Sequence, residues 1–260
     1  MSDIANMKEN RKLNFLVFSL MVLLICLEIF KPQPIDWSST FSKDDKIPYG
    51  NFLLYDLLDQ IFPSKTIEPI YQPIYNQLKD NNLIANKSNY IFINQRFNLE
   101  ELDEETLLKF VSAGNHVFLT SLYFPKKLND TLHLETNSLN LHGLYEGGEE
   151  VSDSIGFNFL HSNLKTDSSY YSKLYMANSF FERFDTLNTT ILGVNEFNKA
   201  NFIQINFGEG TFYIHANPTL FTNYNMTHRN NAEYVQKALS HLPLLPTYWD
   251  EYYNVGRQGM

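Results

Sequence analysis

The run "LNFLVFSLMVLLICLEIF", Leu13 to Phe30, constrains this chain more than any other stretch, because it carries no charge before Glu28. A helix rises ~1.5 Å per residue, so the run covers most of a bilayer's ~30 Å hydrocarbon core, slightly short of the usual ~20 residues. Lys8, Arg11 and Lys12 precede it, and the exit "LEIFKPQPIDW" holds no small-x-small cleavage pattern. Leu24 and Ile25 stand where a lipidated cysteine at Cys26 would want small residues. The reading is an uncleaved transmembrane helix over 13–30 that meets the lipid bilayer, with a cytoplasmic tail over 1–12. Counted over the wider flanks the positive charges balance. Those nearest the span, Arg11 and Lys12 against Lys31, favour a cytoplasmic N-terminus. The main domain is therefore expected on the periplasmic side of the cytoplasmic (inner) membrane.

Charge narrows the partners. A net charge of −9 over 260 residues argues against a nucleic-acid surface, which needs clustered Lys and Arg. The single cysteine, Cys26, rules out an intramolecular disulfide and a thiolate metal centre. No cofactor motif is present, and none is expected to bind.

Beyond the span, residues 31–46 are polar and Pro- and Ser-rich, and read as a stalk. "YGNFLLYDLLDQIF" repeats apolar residues at helical spacing between Pro48 and Pro63. "SKTIEPIYQPIYNQL", broken by Pro69 and Pro73, allows a short strand and a short helix. The strand "NYIFIN", the helix "NLEELDEETLLKFVSAG" with Asn98 as candidate cap, and the strand "NHVFLTSLYF" form a βαβ crossover with parallel, adjacent strands. "LHLETNSLNLHG" and "SIGFNFLHS" alternate as strands around the loop "YEGGEEVSD", and "YYSKLYMANSFFERF" reads as a helix. "TTILGVN" is a further strand, "ANFIQINF" and "TFYIHANP" form a hairpin across "GEG", and "NNAEYVQKALSHL" is a closing helix. The domain is expected over 47–246, with a juxtamembrane-type tail over 247–260.

Chemistry is sparse. The seven histidines are scattered, and His116 and His215 fall in strands as packed or surface residues. Gly208 to Gly210 make a turn, lacking the longer glycine pattern, the lysine and the following helix of a phosphate cradle. Thr120, Ser121 and Tyr123 follow a strand's carboxyl end, where open α/β sheets place active residues, but no Gly-x-Ser-x-Gly elbow surrounds them. The acids from Glu100 to Glu105 suit a helix N-terminus. Trp249, Asp250, Glu251, Tyr252 and Tyr253 form an aromatic-acidic patch expected to meet a partner or the domain body. Adjacent residues of an extended chain point to opposite sides, so Asp250 and Glu251 are poorly placed to share a substrate.

Taken together, "PYGNFLLYDLL", "NYIFIN", "FVSAGNHVFL", "NFGEGTFYIHANPTLFTNY" and "WDEYY" resemble domain of unknown function 4350, a family of bacterial membrane proteins. The resemblance implies an α/β fold, a three-layer sheet of class I glutamine-amidotransferase-like or flavodoxin-like layout with antiparallel additions. It transfers no catalytic residues, and the amidotransferase cysteine has no counterpart here. It further implies a second hydrophobic span after "WDEYY…GR", so the chain is expected to be truncated or naturally shortened there. The functional expectation is a non-enzymatic accessory or binding subunit of an envelope complex, partnered by a membrane or envelope protein. A hydrolase of envelope carbohydrate or peptide, using Ser121 or Asp250 and Glu251, stays open as the alternative.

Overall fold

The computed structural model describes residues 2–32, 34–80, 83–140 and 153–254. Two compact units divide the chain, Met1–Asp36 and Trp37–Met260.

The first unit contains helix α1, Ser2–Ile29. Its described side chains begin at Leu13, and the apolar ones are exposed, Phe15 at 74% and Phe18 at 65%. Among the described residues, no helix is long and apolar enough to cross a membrane. The expected helix is present; the expected span is not shown.

In the second unit, α2 (Phe52–Ile61) leads to β1 (Ile67–Ile70) and α3 (Ile74–Asp80). Then come β2 (Asn89–Ile93), α4 (Glu101–Ser112), β3 (His116–Thr120), α5 (Lys126–Leu132) and β4 (Glu135–Ser138). Six further strands follow, β5 (Ser154–Phe159), β6 (Tyr170–Lys173), β7 (Ser179–Arg183), β8 (Thr189–Asn195), β9 (Ala200–Phe207) and β10 (Gly210–His215). Two helices, α6 (Asn223–Met226) and α7 (Asn231–Leu239), precede β11 (Thr247–Asp250).

The main sheet runs β1-β11-β2-β3-β10-β9-β8-β5-β6, and β4 pairs with β7 in a separate ribbon. Pairings from β1 across to β10 are parallel, and those from β10 across to β6 are antiparallel. This is a mixed α/β architecture. The βαβ crossover holds: β2 and β3 pair in parallel, Tyr90 opposite Val117 and Phe92 opposite Leu119. The β9–β10 hairpin holds as well. Two apolar clusters lie on the two faces of the sheet. One gathers Ile91, Ile93, Phe118 and Trp249 under α2 and α7. The other gathers Tyr90, Phe92, Val117 and Leu119 under α3, α4 and α5.

Four expectations are corrected. "YYSKLYMANSFFERF" supplies the strands β6 and β7 instead of a helix, β6 pairing with β5 and β7 with β4. Helix α4 is preceded by Glu100 rather than Asn98 at its N-cap, with no side-chain capping bond. Residues 37–46 belong to the folded unit and not to a stalk: Phe41 and Ser42 are 1% exposed. The stretch 247–250 is an interior strand, held between β1 and β2; residues 255–260 of the expected tail and most of the expected loop "YEGGEEVSD" lie outside the described residues.

The hairpin turn makes one testable point. Gly208 has φ +61°, and a Cβ there would meet the Ser112 backbone at 2.6 Å. A Cβ on Gly210 would meet the carbonyl oxygens of Asn115 and Val111 at 2.1 and 2.2 Å. The hairpin lies against the end of α4, with the Glu209 N–H donating to the Ser112 carbonyl at 3.0 Å. Gly210→Ala must push backbone apart, and is expected to cost about 2–3 kcal/mol in urea unfolding.

Candidate functional site

The connections around β3 and β10 place the site. After β3 the chain turns to α5 on the face covered by α3 and α4. After β10 it turns the other way, to Leu220, Phe221 and α7 on the opposite face. Adjacent parallel strands whose chains leave to opposite faces open a crevice at their carboxyl ends, where α/β sheets bind ligands. A groove of about 460 Å³ lies there, lined by Leu122 and Tyr123 after β3, by Asn137 and Ser138 of β4, and by Tyr175 and Asn178 before β7.

Each wall is fixed from behind. Ser121 donates its hydroxyl to the Tyr123 carbonyl at 3.0 Å and accepts the Tyr123 N–H at 3.3 Å. The Phe97 N–H donates to the same carbonyl at 3.0 Å, and the Arg96 guanidinium sits 4.4 Å from the Tyr123 ring centre. On the far wall, Asn217 at the end of β10 accepts the Ser179 N–H at 2.9 Å and donates to the Ser179 carbonyl at 2.8 Å. Thr219 donates its hydroxyl to the Met176 carbonyl at 2.7 Å. Asn217→Ala, which removes both bonds to Ser179, is expected to cost about 2–3 kcal/mol and to raise proteolysis around 175–179.

Beneath the groove His215 is fully buried. Its Nδ1 accepts the Asn217 N–H at 3.0 Å, which places the ring proton on Nε2, 2.8 Å from the Tyr234 hydroxyl. The Asn201 amide lies 3.1 Å from both Nε2 and that hydroxyl. Burial holds the His215 imidazole down at about 3, so it is neutral. This is a packed histidine tying β10 to α7 and β9. His116 is half-buried, and burial lowers its pKa too.

The aromatic-acidic stretch lies elsewhere, at the end of β11. Trp249, Asp250 and Glu251 are 1% exposed, Tyr253 is 3% exposed, and Tyr252 alone is half-buried. Of the two expected contacts, it is the domain body that these residues meet, with β11 paired on both sides. Asp250 and Glu251 do point apart, as an extended chain requires. Asp250 packs near Tyr90, where burial pushes its carboxyl up to about 8 although the N–H groups of Tyr252 and Tyr253 donate to it at 3.1 and 3.3 Å. Glu251 faces the chain that enters the domain: it accepts from the Ser42 hydroxyl at 3.1 Å, the Lys43 N–H at 2.7 Å and the Trp249 indole at 2.9 Å. Tyr252 and Tyr253 also line a cleft of about 350 Å³ with Glu100 and Asp103.

A larger depression of about 980 Å³ beside α5 is lined by charges of both signs, with Arg183 paired to Glu135. No group of His, Cys, Asp and Glu among the described residues could hold a metal ion. Of the groove's residues only Tyr123 was reachable from sequence, through its place after a strand.

The chain is thus a mixed α/β domain with a groove at the switch point between β3 and β10. The family model for the domain of unknown function DUF4350 matches residues 43–239, and the chain belongs to that family. No curated protein matches. Among solved structures, the β-galactosidase from Bacillus circulans sp. alkalophilus is 14% identical with a TM-score of 0.37, over 59% of this chain and 22% of that one. The β-galactosidase from Rahnella sp. R3 is 14% identical with a TM-score of 0.35, over 79% of this chain and 26% of that one. The mmIFT52 N-terminal domain is 10% identical with a TM-score of 0.40, over 66% of this chain and 93% of that one. The chain thus spans about a quarter of the two galactosidases.

Proposed function

We propose that the chain is a membrane-anchored, non-enzymatic binding domain of amidotransferase-like layout. The helix over 13–30 holds it to the inner membrane, the domain stands on the periplasmic side, and it serves as an accessory subunit of an envelope complex. One observation carries the binding role: at the switch point the groups capable of chemistry are consumed by structure, while ring and amide groups remain open. Ser121 is 0% exposed with its hydroxyl spent on the Tyr123 backbone, and His215 is 0% exposed and bonded on both nitrogens. Tyr123 and Tyr175, by contrast, are 54% and 66% exposed beside the groove. The anchor rests on the apolar run and its basic flank. A hydrolase would have to draw on Ser121, Asp250 or Glu251, all of which are buried.

Two experiments test this reading. The full chain should pellet with membranes and resist alkaline carbonate, and deletion of residues 13–30 should release it. Carbonate-soluble full-length protein would sink the anchor. In cells lacking the native copy, Asp250→Asn should support function within about twofold of wild type, whereas Tyr123→Ala should not. Loss of function with a folded Asp250→Asn protein would favour the hydrolase.

A further inference from the structure

We propose that the β3/β10 groove binds a neutral saccharide. The inference rests on the binding-domain reading and names the chemical class of its ligand.

The lining points to that class by what it holds. Tyr123 and Tyr175 stand in its walls more than half exposed, and Asn137, Ser138 and Asn178 supply amides and a hydroxyl. Among the described residues, no ionisable acid or base other than the two phenols lines it. Phosphate, carboxylate and ammonium ligands want a countercharge, and a single-stranded nucleic acid wants a basic track beside its stacking rings. A sugar ring wants neither. Its C–H face packs on an aromatic ring, and its hydroxyls pair with groups that both donate and accept, as amides do.

Asn178 is the amide placed for this role. It is half-buried, its backbone carbonyl accepts the Leu139 N–H at 3.0 Å, and its side-chain amide bonds to no described residue. Asn137 has a different part: its oxygen accepts the Ser138 N–H at 2.8 Å and its nitrogen donates to Glu182 at 2.9 Å. That bond occupies the Ser138 N–H, a donor that an added peptide strand would otherwise use on β4. The edge is blunted against strand addition, which favours a sugar over an extended peptide.

Preorganisation supports a ligand class whose contacts are individually weak. The Ser121 turn, the Arg96 stack, the Asn217 clamp and the Thr219 bond hold both walls before anything binds, so ordering costs little on association. The groove's volume is within the ~300–1,000 Å³ usual for small-ligand sites.

The test uses the purified full chain and maltotriose, cellotriose and chitotriose as probes, titrated calorimetrically. At least one should bind with saturation. Tyr123→Ala and Asn178→Ala should each weaken it about tenfold, Tyr123→Phe should stay within about threefold, and Phe197→Ala, an exposed ring in the β8–β9 turn, should change nothing. Binding that ignores Tyr123→Ala, or no binding to any of the three, overturns the proposal. In the second case, a cell function still lost with Tyr123→Ala would leave the binding-domain reading standing with another ligand. A function untouched by Tyr123→Ala would bring down both.

Discussion

Glu251→Ala is expected to destabilise the folded domain by about 3–5 kcal/mol. The carboxylate is 1% exposed and takes bonds from Ser42, Lys43 and Trp249, so truncation removes three hydrogen bonds from a buried site. It also loosens the entering chain, which Asn254 holds separately through a 3.2 Å bond to the Phe41 carbonyl. Urea unfolding gives the loss, and limited proteolysis should find new cuts near residues 41–46 before global unfolding. Glu251→Gln keeps the shape and one acceptor oxygen, and should recover about half of the loss. An alanine variant within 1 kcal/mol of wild type would mean that the carboxylate does not hold the entering chain.

The second large effect is a pH dependence. Burial raises the Asp250 carboxyl from 3.8 to about 8 in the folded protein. Between those values the folded state keeps a proton that the unfolded state releases, so this residue's contribution is full below pH 4 and is lost as pH rises through 8. His215 works in the opposite sense. Its imidazole falls from 6.5 to about 3, so its contribution is full above pH 6.5 and is lost as pH falls toward 3. The two slopes offset each other between about pH 4 and 6.5, and above that Asp250 acts alone. Stability should therefore decline from pH 6.5 to 8, which is unusual for an acidic protein. Asp250→Asn retains an oxygen for the N–H groups of Tyr252 and Tyr253 and has no proton to lose. It should flatten that decline and be more stable than wild type at pH 8 by on the order of 3–5 kcal/mol. Thermal melts of both proteins across pH 5–9 check this, and parallel curves would refute it.

Local signals carried much of the fold. The helix at Phe52–Ile61, the βαβ unit and the β9–β10 hairpin each declare themselves through a period, a turn or a cap within one short window. The strand β11 does not. "TYWD" is four residues long and ends in acid, which reads as an exposed tail, and only its two parallel neighbours turn it into core. The "YYSKLYMANSFFERF" stretch misleads similarly, since its apolar spacing fits a helix until the break at residues 174–178 separates β6 from β7. The groove was least legible. Arg96, Tyr123, Asn137 and Asn178 meet only through tertiary contacts, and the Asn217 clamp that sets the far wall resembles any asparagine after a strand.

The position of β11 also governs how the protein comes into being. Translation delivers β1 and β2 early and β11 last, yet β11 fills the slot between them. Until it arrives, two strands made long before present facing, unpaired backbone edges to every other chain nearby. Such non-local closure is slow and exposes aggregation-prone surface while it waits. A nascent chain stalled before Thr247 should therefore bind chaperones persistently, and the same ribosome carrying residues through 254 outside its tunnel should release them.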